Sequence, residues 1–380
     1  MNPIRKINAA WVISGFYSDE NDFGGAAAIH LLARELSQDP NLKITVFALY
    51  HPHLIKEFRL YNVKVLTLNN FPPEKLNRVR KLAAWRLFHK KFSEENRLEK
   101  FDIIHSFWAG EPGYNAAIAA KKHNIPLTTN ICGGELAAYP RINYGQQLKK
   151  TQKYFIDKTM KRADKIVCGC NFIAEKVYAV YGSKIAAKGV RIPFGVDTSA
   201  FSPPEVKERT NSADPVLINI AHAVPVKDHF TLLSAIALVK KSYPGVLLKV
   251  YGNDTKGYVM RVAEEMDLVS NVNVFGFVEY SQIPQALRGS DVFVLSSVYE
   301  SQNMSMLEAA FMGIPVVSTN VGVAREITPY ISEPGDAHAL AENILQAIKQ
   351  KKPVYKDLSE MFSLKASAVS YRKLYNEMVS

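Results

Sequence analysis

Apolar positions fall along this chain in short uniform runs, separated by stretches with helical spacing. The clearest unit spans residues 291–327, DVFVLSSVYESQNMSMLEAAFMGIPVVSTNVGVAREI. Residues 292–295 are all apolar, which predicts a strand buried on both faces, as in a parallel sheet. A polar stretch carrying Glu300 follows. A helix is predicted over 304–312, with Glu308 in its middle, and a second buried strand over 315–318. Strand, loop, helix, strand is a βαβ crossover, and such sheets bind ligands beyond the carboxyl ends of their strands. The first amides of the helix, at Met304 and Ser305, have no internal partner and lie at the positive end of its dipole, which suits a phosphate. Asn303 stands where it can cap the helix. Glu308, about one turn in, is placed to take ribose hydroxyls, and Glu300 to face a second polar group.

The same alternation runs the length of the chain. Strands are predicted at 7–14, 44–49, 63–68, 101–107 and 165–168, then again from 216, at 247–251 and at 272–275. Between them lie predicted helices at 26–37, 74–92, 146–165, 171–181, 336–349 and 364–378. The loop before the first helix ends in Phe23-Gly24-Gly25, where two glycines let backbone amides approach an anion closely. Two series of strands and helices with a break near Gly195 argue for two doubly wound α/β domains.

Composition narrows the class. A length of 380 residues suits two domains, and 47% apolar with 22% charged residues is ordinary for a soluble globular protein. No apolar run approaches the roughly 18 residues of a membrane span, and the start does not read as a signal peptide. Three cysteines (Cys132, Cys168, Cys170) are too few for a disulfide framework. A reducing cytoplasm is the expected home. The net charge of +11 is uneven: residues 1–195 hold 30 Lys/Arg against 16 Asp/Glu, and residues 196–380 hold 17 against 20. The basic excess points to an anionic surface. Residues 74–92, EKLNRVRKLAAWRLFHKKF, read as a basic amphipathic helix with Leu82, Trp85, Leu87 and Phe88 as its apolar area. The Lys-rich helix that follows Lys149 adds to that charge. An anionic membrane surface, met peripherally on the inner membrane face, is therefore an expected partner. The competing reading is a core-facing helix with a solvated basic side. No nucleic-acid partner is expected, since no recognisable motif accompanies the charge.

Glu300 and Glu308 are spaced E-x7-E, and with the following EAAFMGIPVVSTNVG they resemble the donor-site motif of GT-B glycosyltransferases, especially the retaining glycosyltransferase family 4. Other stretches resemble the same family. FDIIHSFWAGEPG resembles its Asp-x-x-His strand end, which implies that His105 and Trp108 lie near the cleft. In ICGGEL, Cys132 stands where members often have a His near the donor sugar. Val190 onward, VRIPFGVDTSAFSPP, resembles the inter-domain segment. In INIAHAVPVKDHF, Lys227 matches the family's Lys, and Ala221-His222 stands where Gly-Arg is usual. Ser301-Gln302-Asn303 replaces the usual Gly-rich turn.

The resemblance implies a GT-B fold: a Rossmann-like acceptor-side domain over 1–193, a Rossmann-like donor domain over 194–358, and a terminal helix over 359–380 that crosses back to the first domain. It implies a nucleotide diphosphate sugar as donor, a glycan or lipid-linked acceptor, and transfer with retention. The implied catalytic residues are Glu300 and Lys227. The donor is implied to meet Glu308, His222, Gly252, Val278, Ser301, Gln302, Asn303, Met304 and Ser305. Gly24, Gly25, His105 and Cys132 fall on the phosphate and acceptor side. No metal is expected, because no Asp-x-Asp occurs and Lys227 with the helix amides can offset the leaving group's charge. Three alternatives stay open: a same-fold phosphorylase, a nucleotide-sugar epimerase, and a non-catalytic nucleotide-sugar-binding subunit.

Overall fold

The computed structural model describes residues 6–19, 27–203, 214–350, 355 and 358–380. The chain divides into two compact units, Met1–Gly195 with Leu364–Ser380, and Val196–Ser363. The first holds an eight-stranded sheet of β1 (Ile7–Gly15), β2 (Leu42–His51), β3 (Glu57–Leu60), β4 (Val63–Thr67), β5 (Ile103–Phe107), β6 (Leu127–Ile131), β7 (Lys165–Cys168) and β8 (Gly189–Arg191). Their order is β3-β4-β2-β1-β5-β6-β7-β8, and β3 alone runs antiparallel. The second unit holds β9 (Val216–Ile220), β10 (Leu247–Tyr251), β11 (Val272–Gly276), β12 (Val292–Leu295), β13 (Val316–Thr319) and β14 (Ile331–Ser332), in the order β11-β10-β9-β12-β13-β14 and all parallel. The two sheets are of the α/β, doubly wound kind.

Burial explains why these segments pair. β1 and β12 are apolar on both faces and buried almost throughout, because helices cover both sides of a parallel sheet. The strands that the hydrophobic pattern did not predict are β3, β6, β8 and β14. β3, β8 and β14, of four, three and two residues, lie at sheet edges, where few apolar positions are needed. β6, LTTNI, lies buried inside its sheet with polar residues that break the apolar run.

Two predicted helices are corrected. The one expected over 146–165 is a short 3-10 turn, Gln146–Leu148, and a separate α-helix, Lys150–Arg162, because Lys149 between them is extended. The one expected over 74–92 runs from Arg78 to Leu98. It begins where the Asn77 side chain accepts the Arg80 amide, at 3.0 Å. Its Ala84, Phe88 and Phe92, four residues apart, face the core, and Phe88 and Phe92 pack on Phe47. The Trp85 indole donates to Tyr50 and to Glu111, each at 2.9 Å. Phe88 is thus core rather than surface, and Trp85 is largely engaged, while Val79 and Leu82 on the same helix stay exposed.

The last helix, Leu364–Val379, belongs to the first unit. Its Tyr371 and Tyr375 join the core around Trp11 and Phe107. Trp11 Nε1 donates to the Tyr375 hydroxyl at 3.0 Å, and Asn130 Nδ2 donates to the Tyr371 hydroxyl at 2.6 Å.

Candidate active site

In the second unit the sheet order reverses between β9 and β12, the place where doubly wound sheets hold ligands. β9 leads into a loop and a 3-10 turn, Pro225–Lys227, and β12 leads into the loop that carries Glu300. Lys227 Nζ meets Glu300 Oε1 at 2.5 Å. The two loops are tied by their main chains as well. The Val298 amide donates to the Val226 carbonyl at 2.8 Å, and the Ser296 hydroxyl to the Lys227 carbonyl at 2.8 Å. The Ser297 hydroxyl donates to Glu300 Oε1 at 2.7 Å, and the Ser297 carbonyl accepts the Thr319 hydroxyl at 2.7 Å. Ser296, Ser297 and Thr319 are fully buried. Sequence reasoning passed over them. Two consecutive hydroxyls directly after an apolar strand were the available signal.

Asn303 caps the Met304–Phe311 helix: its side chain accepts the Met306 amide at 2.8 Å. Its backbone has a φ of 74°, which asparagine tolerates better than most residues. The Met304 and Ser305 amides stand ahead of the helical ladder. Gln302 is buried, its carbonyl accepts the Val323 amide, and Ser301 is half-buried beside it. A Cβ on Gly322, where φ is 55°, would come within 2.7 Å of that Gln302 carbonyl, so the β13 loop packs on the β12 loop only through a glycine. Glu308 is buried within the helix. Burial pushes its carboxyl up to about 7, against a smaller opposing pull from the Tyr280 hydroxyl.

His222 lies exposed after β9, and its Nδ1 accepts the Asn253 amide at 2.9 Å. That bond leaves Nε2 as the nitrogen that carries the proton in the neutral ring. Gly252 brings the two loops together. With φ at 143°, it holds a Cα whose Cβ would fall 2.2 Å from the Ala221 carbonyl oxygen. Val278 is half-buried after β11, at the far edge of the same rim. Among the described residues, no group of three or more His, Cys, Asp or Glu is arranged to hold a metal ion.

Two family models divide this chain between them. Residues 24–200 match the model described as Glycosyltransferase Family 4, and residues 204–363 match Glycosyl transferases group 1. The chain belongs to the family 4 glycosyltransferases, with the GT-B fold. A phosphatidylinositol N-acetylglucosaminyltransferase component of Arabidopsis thaliana is 32% identical over 144 residues, which is 38% of this chain and 32% of that protein. The UDP-Gal:alpha-D-GlcNAc-diphosphoundecaprenol alpha-1,3-galactosyltransferase of Escherichia coli is 24% identical over 277 residues, 67% of this chain and 68% of that protein. The solved sucrose-phosphate synthase of Thermosynechococcus elongatus superposes with a TM-score of 0.78 at 17% identity, covering 98% of this chain and 99% of that one. The chain spans about a third to a half of the length of the first curated relatives it matches.

Other residues singled out for a family 4 glycosyltransferase site fall in the first unit. Gly24 and Gly25 lie outside the described residues. His105 is fully buried. Its Nε2 meets Asn130 Oδ1 at 2.7 Å, so Nε2 donates, and its Nδ1 accepts from the Tyr375 hydroxyl at 2.5 Å. Both nitrogens are spent on the core, and burial holds the ring at about 3. This corrects the expected role: His105 braces the terminal helix and offers no nitrogen to a ligand. Cys132 lies half-buried past the end of β6, and burial, with the neighbouring Glu135, pushes its thiol well above the usual range.

Proposed function

We propose that this chain is a retaining, metal-independent glycosyltransferase that moves a sugar from a nucleotide diphosphate sugar to a glycan or lipid-linked acceptor. The observation that carries this reading is the Lys227–Glu300 pair, which bridges the switch point of the second sheet beside the start of the Met304–Phe311 helix. As the glycosidic bond breaks, negative charge grows on the diphosphate. Lys227 and the first helix amides supply preorganised positive charge there. Glu300 lies against Lys227 and is aimed at the sugar that becomes cationic. Glu308 takes the ribose hydroxyls, while the Gly252 and Val278 loops flank the base. In retention the acceptor approaches from the leaving-group side and a donor phosphate oxygen takes its proton, so no protein base is required. Relatives whose names specify a lipid-linked acceptor support that acceptor class. The test is a screen of UDP-, GDP- and ADP-sugars for donor hydrolysis, with and without EDTA, and the anomeric configuration of the product by NMR. No hydrolysis of any donor, inversion, or a loss in EDTA restored by Mg²⁺ would each remove part of the proposal.

The same reading includes a peripheral site on an anionic membrane, with the chain in the cytoplasm. No described helix is long and apolar enough to cross a membrane. The support is an apolar and basic patch on the first unit. Leu54, Ile55, Phe71, Val79 and Leu82 are exposed. The Ile55 amide donates to Asn70 at 2.7 Å, and the Arg80 guanidinium lies 4.1 Å over the Phe71 ring. Each nearby cation adds about 1 kcal/mol on an anionic leaflet. Changing Arg78, Arg80 and Lys75 to Glu should abolish co-sedimentation with anionic vesicles, and equal recovery on neutral and anionic vesicles would refute the docking site.

A further inference from the structure

The first sheet has its own reversal of strand order, between β1 and β5, and a strained residue stands at its rim. Trp108 directly follows β5 with a φ of 68°. A bulky side chain rarely occupies that region, and such a conformation persists only when its surroundings over-determine it. Here they do. The Trp108 carbonyl accepts the Gly113 amide at 3.1 Å. The next amide, of Ala109, donates to Glu135 Oε1 at 3.3 Å. The same carboxylate accepts the Cys132 amide at 3.1 Å and, through Oε2, the Gly133 amide at 2.7 Å. Glu135 is fully buried. Its carboxylate therefore spans the ends of two neighbouring strands. The indole is half-buried, and its Nε1 edge lies beside Gly133, where an added Cβ would stand 3.4 Å away in ordinary contact.

We propose that Glu135 is a positioning residue for carbohydrate. It fixes the Trp108 backbone to the loop at 132–134 and presents the indole, an apolar face with an N–H donor at its edge, to a sugar ring. A buried carboxylate is costly unless well bonded, and these amides are what bond it. The arrangement would hold one aromatic surface rigid at the place where the sheet opens to ligands. This inference deepens the glycosyltransferase reading and rests on it.

The test uses the full chain with its three tryptophans labelled as 5-fluorotryptophan, with W108F to assign the resonance. In E135Q the Trp108 signal should shift or broaden while the signals of Trp11 and Trp85 stay in place. Maltose and N-acetylglucosamine should move the Trp108 signal in the parent chain, and the apparent affinity should fall roughly tenfold in E135Q, the scale of one lost contact. E135D keeps the charge on a shorter arm and should recover part of the response. A Trp108 signal unchanged by E135Q, a sugar response undiminished in that variant, or no response in the parent chain would each overturn the proposal. Failure of all nucleotide sugars in the hydrolysis screen, with the Trp108 response intact, would instead count against the enzyme reading alone.

Discussion

Glu300 in the second unit meets a lysine ammonium and a serine hydroxyl, whereas Glu135 in the first meets the backbone amides of Ala109, Cys132 and Gly133. Both are buried carboxylates at the rim of a doubly wound sheet. The partners differ in what they can give up. An ammonium can turn to an incoming phosphate while a sugar hydroxyl takes its place on the carboxylate. Main-chain amides cannot leave without unmaking their loops. The histidines divide in the same way. His222 is exposed on the second rim and accepts the Asn253 amide through Nδ1, and His105 is locked between Asn130 and Tyr375 in the first core. The glutamate and histidine of the second rim are thus held by contacts that can exchange, and those of the first by fixed ones.

The comparison breaks most sharply at Lys227. Lys227→Ala should cost on the order of 2–4 kcal/mol of transition-state stabilisation, roughly thirtyfold to a thousandfold in kcat, if its charge is preorganised for the leaving group. Turnover by donor hydrolysis reads this directly. A loss confined to KM would mean that the cation binds donor and transition state alike.

Glu308→Gln comes next and can be read without substrate. The folded pKa, up to about 7, lies above the unfolded value near 4.5. Between those two pH values the folded state holds more protons than the unfolded one, so stability contributed by this group is present at low pH and lost as pH rises through 7. At pH 8 the substitution should stabilise the second unit by at most about 3 kcal/mol, and below pH 4.5 it should change little. Thermal melts across pH measure this. Donor KM should rise in the same variant through the lost ribose contact.

His105→Phe should destabilise the first unit by about 1–3 kcal/mol, since it strands Asn130 Oδ1 and the Tyr375 hydroxyl in the core. Nucleotide binding by calorimetry should be unchanged. If nucleotide binding falls instead, the histidine has a role beyond bracing.

The smallest effect is at Asn303. Replacing it with Ala removes the cap at about 1 kcal/mol, while Gly, which suits the positive φ, should cost only a few tenths. Equal costs in chemical denaturation would show that the backbone conformation does not matter there.

Much of the fold was legible because its determinants are local. The uniform runs at Val292–Leu295 and Lys165–Cys168 matched their strands, and Asn303 caps the helix it precedes. The extended residue at Lys149 divides a stretch that apolar spacing alone reads as one helix, whereas the kink at Gly182, where φ is 71°, falls where the helix predicted from 171 ends. Edge strands such as Glu57–Leu60 escaped, because pairing with Val63–Thr67 rather than their own pattern makes them strands. On the site, the family resemblance singled out Lys227, and the strand-loop-helix pattern together with that resemblance singled out Glu300 and Glu308.

By itself, then, the sequence determined the alternation of strand and helix, the two-unit organisation, and the residues that carry charge at the strand ends. These follow from burial periodicity and turn chemistry, which act over a few neighbouring residues. Only the tertiary structure decided the partners. Lys227 lies 73 positions from Glu300 and His105 lies 270 from Tyr375, and such pairs form where strands far apart in the chain become neighbours in a sheet or a terminal helix docks on it. A side chain's type says what it can bond to, but the contacts that sheet order and packing impose decide whether that capacity is spent inside the protein or left for a ligand.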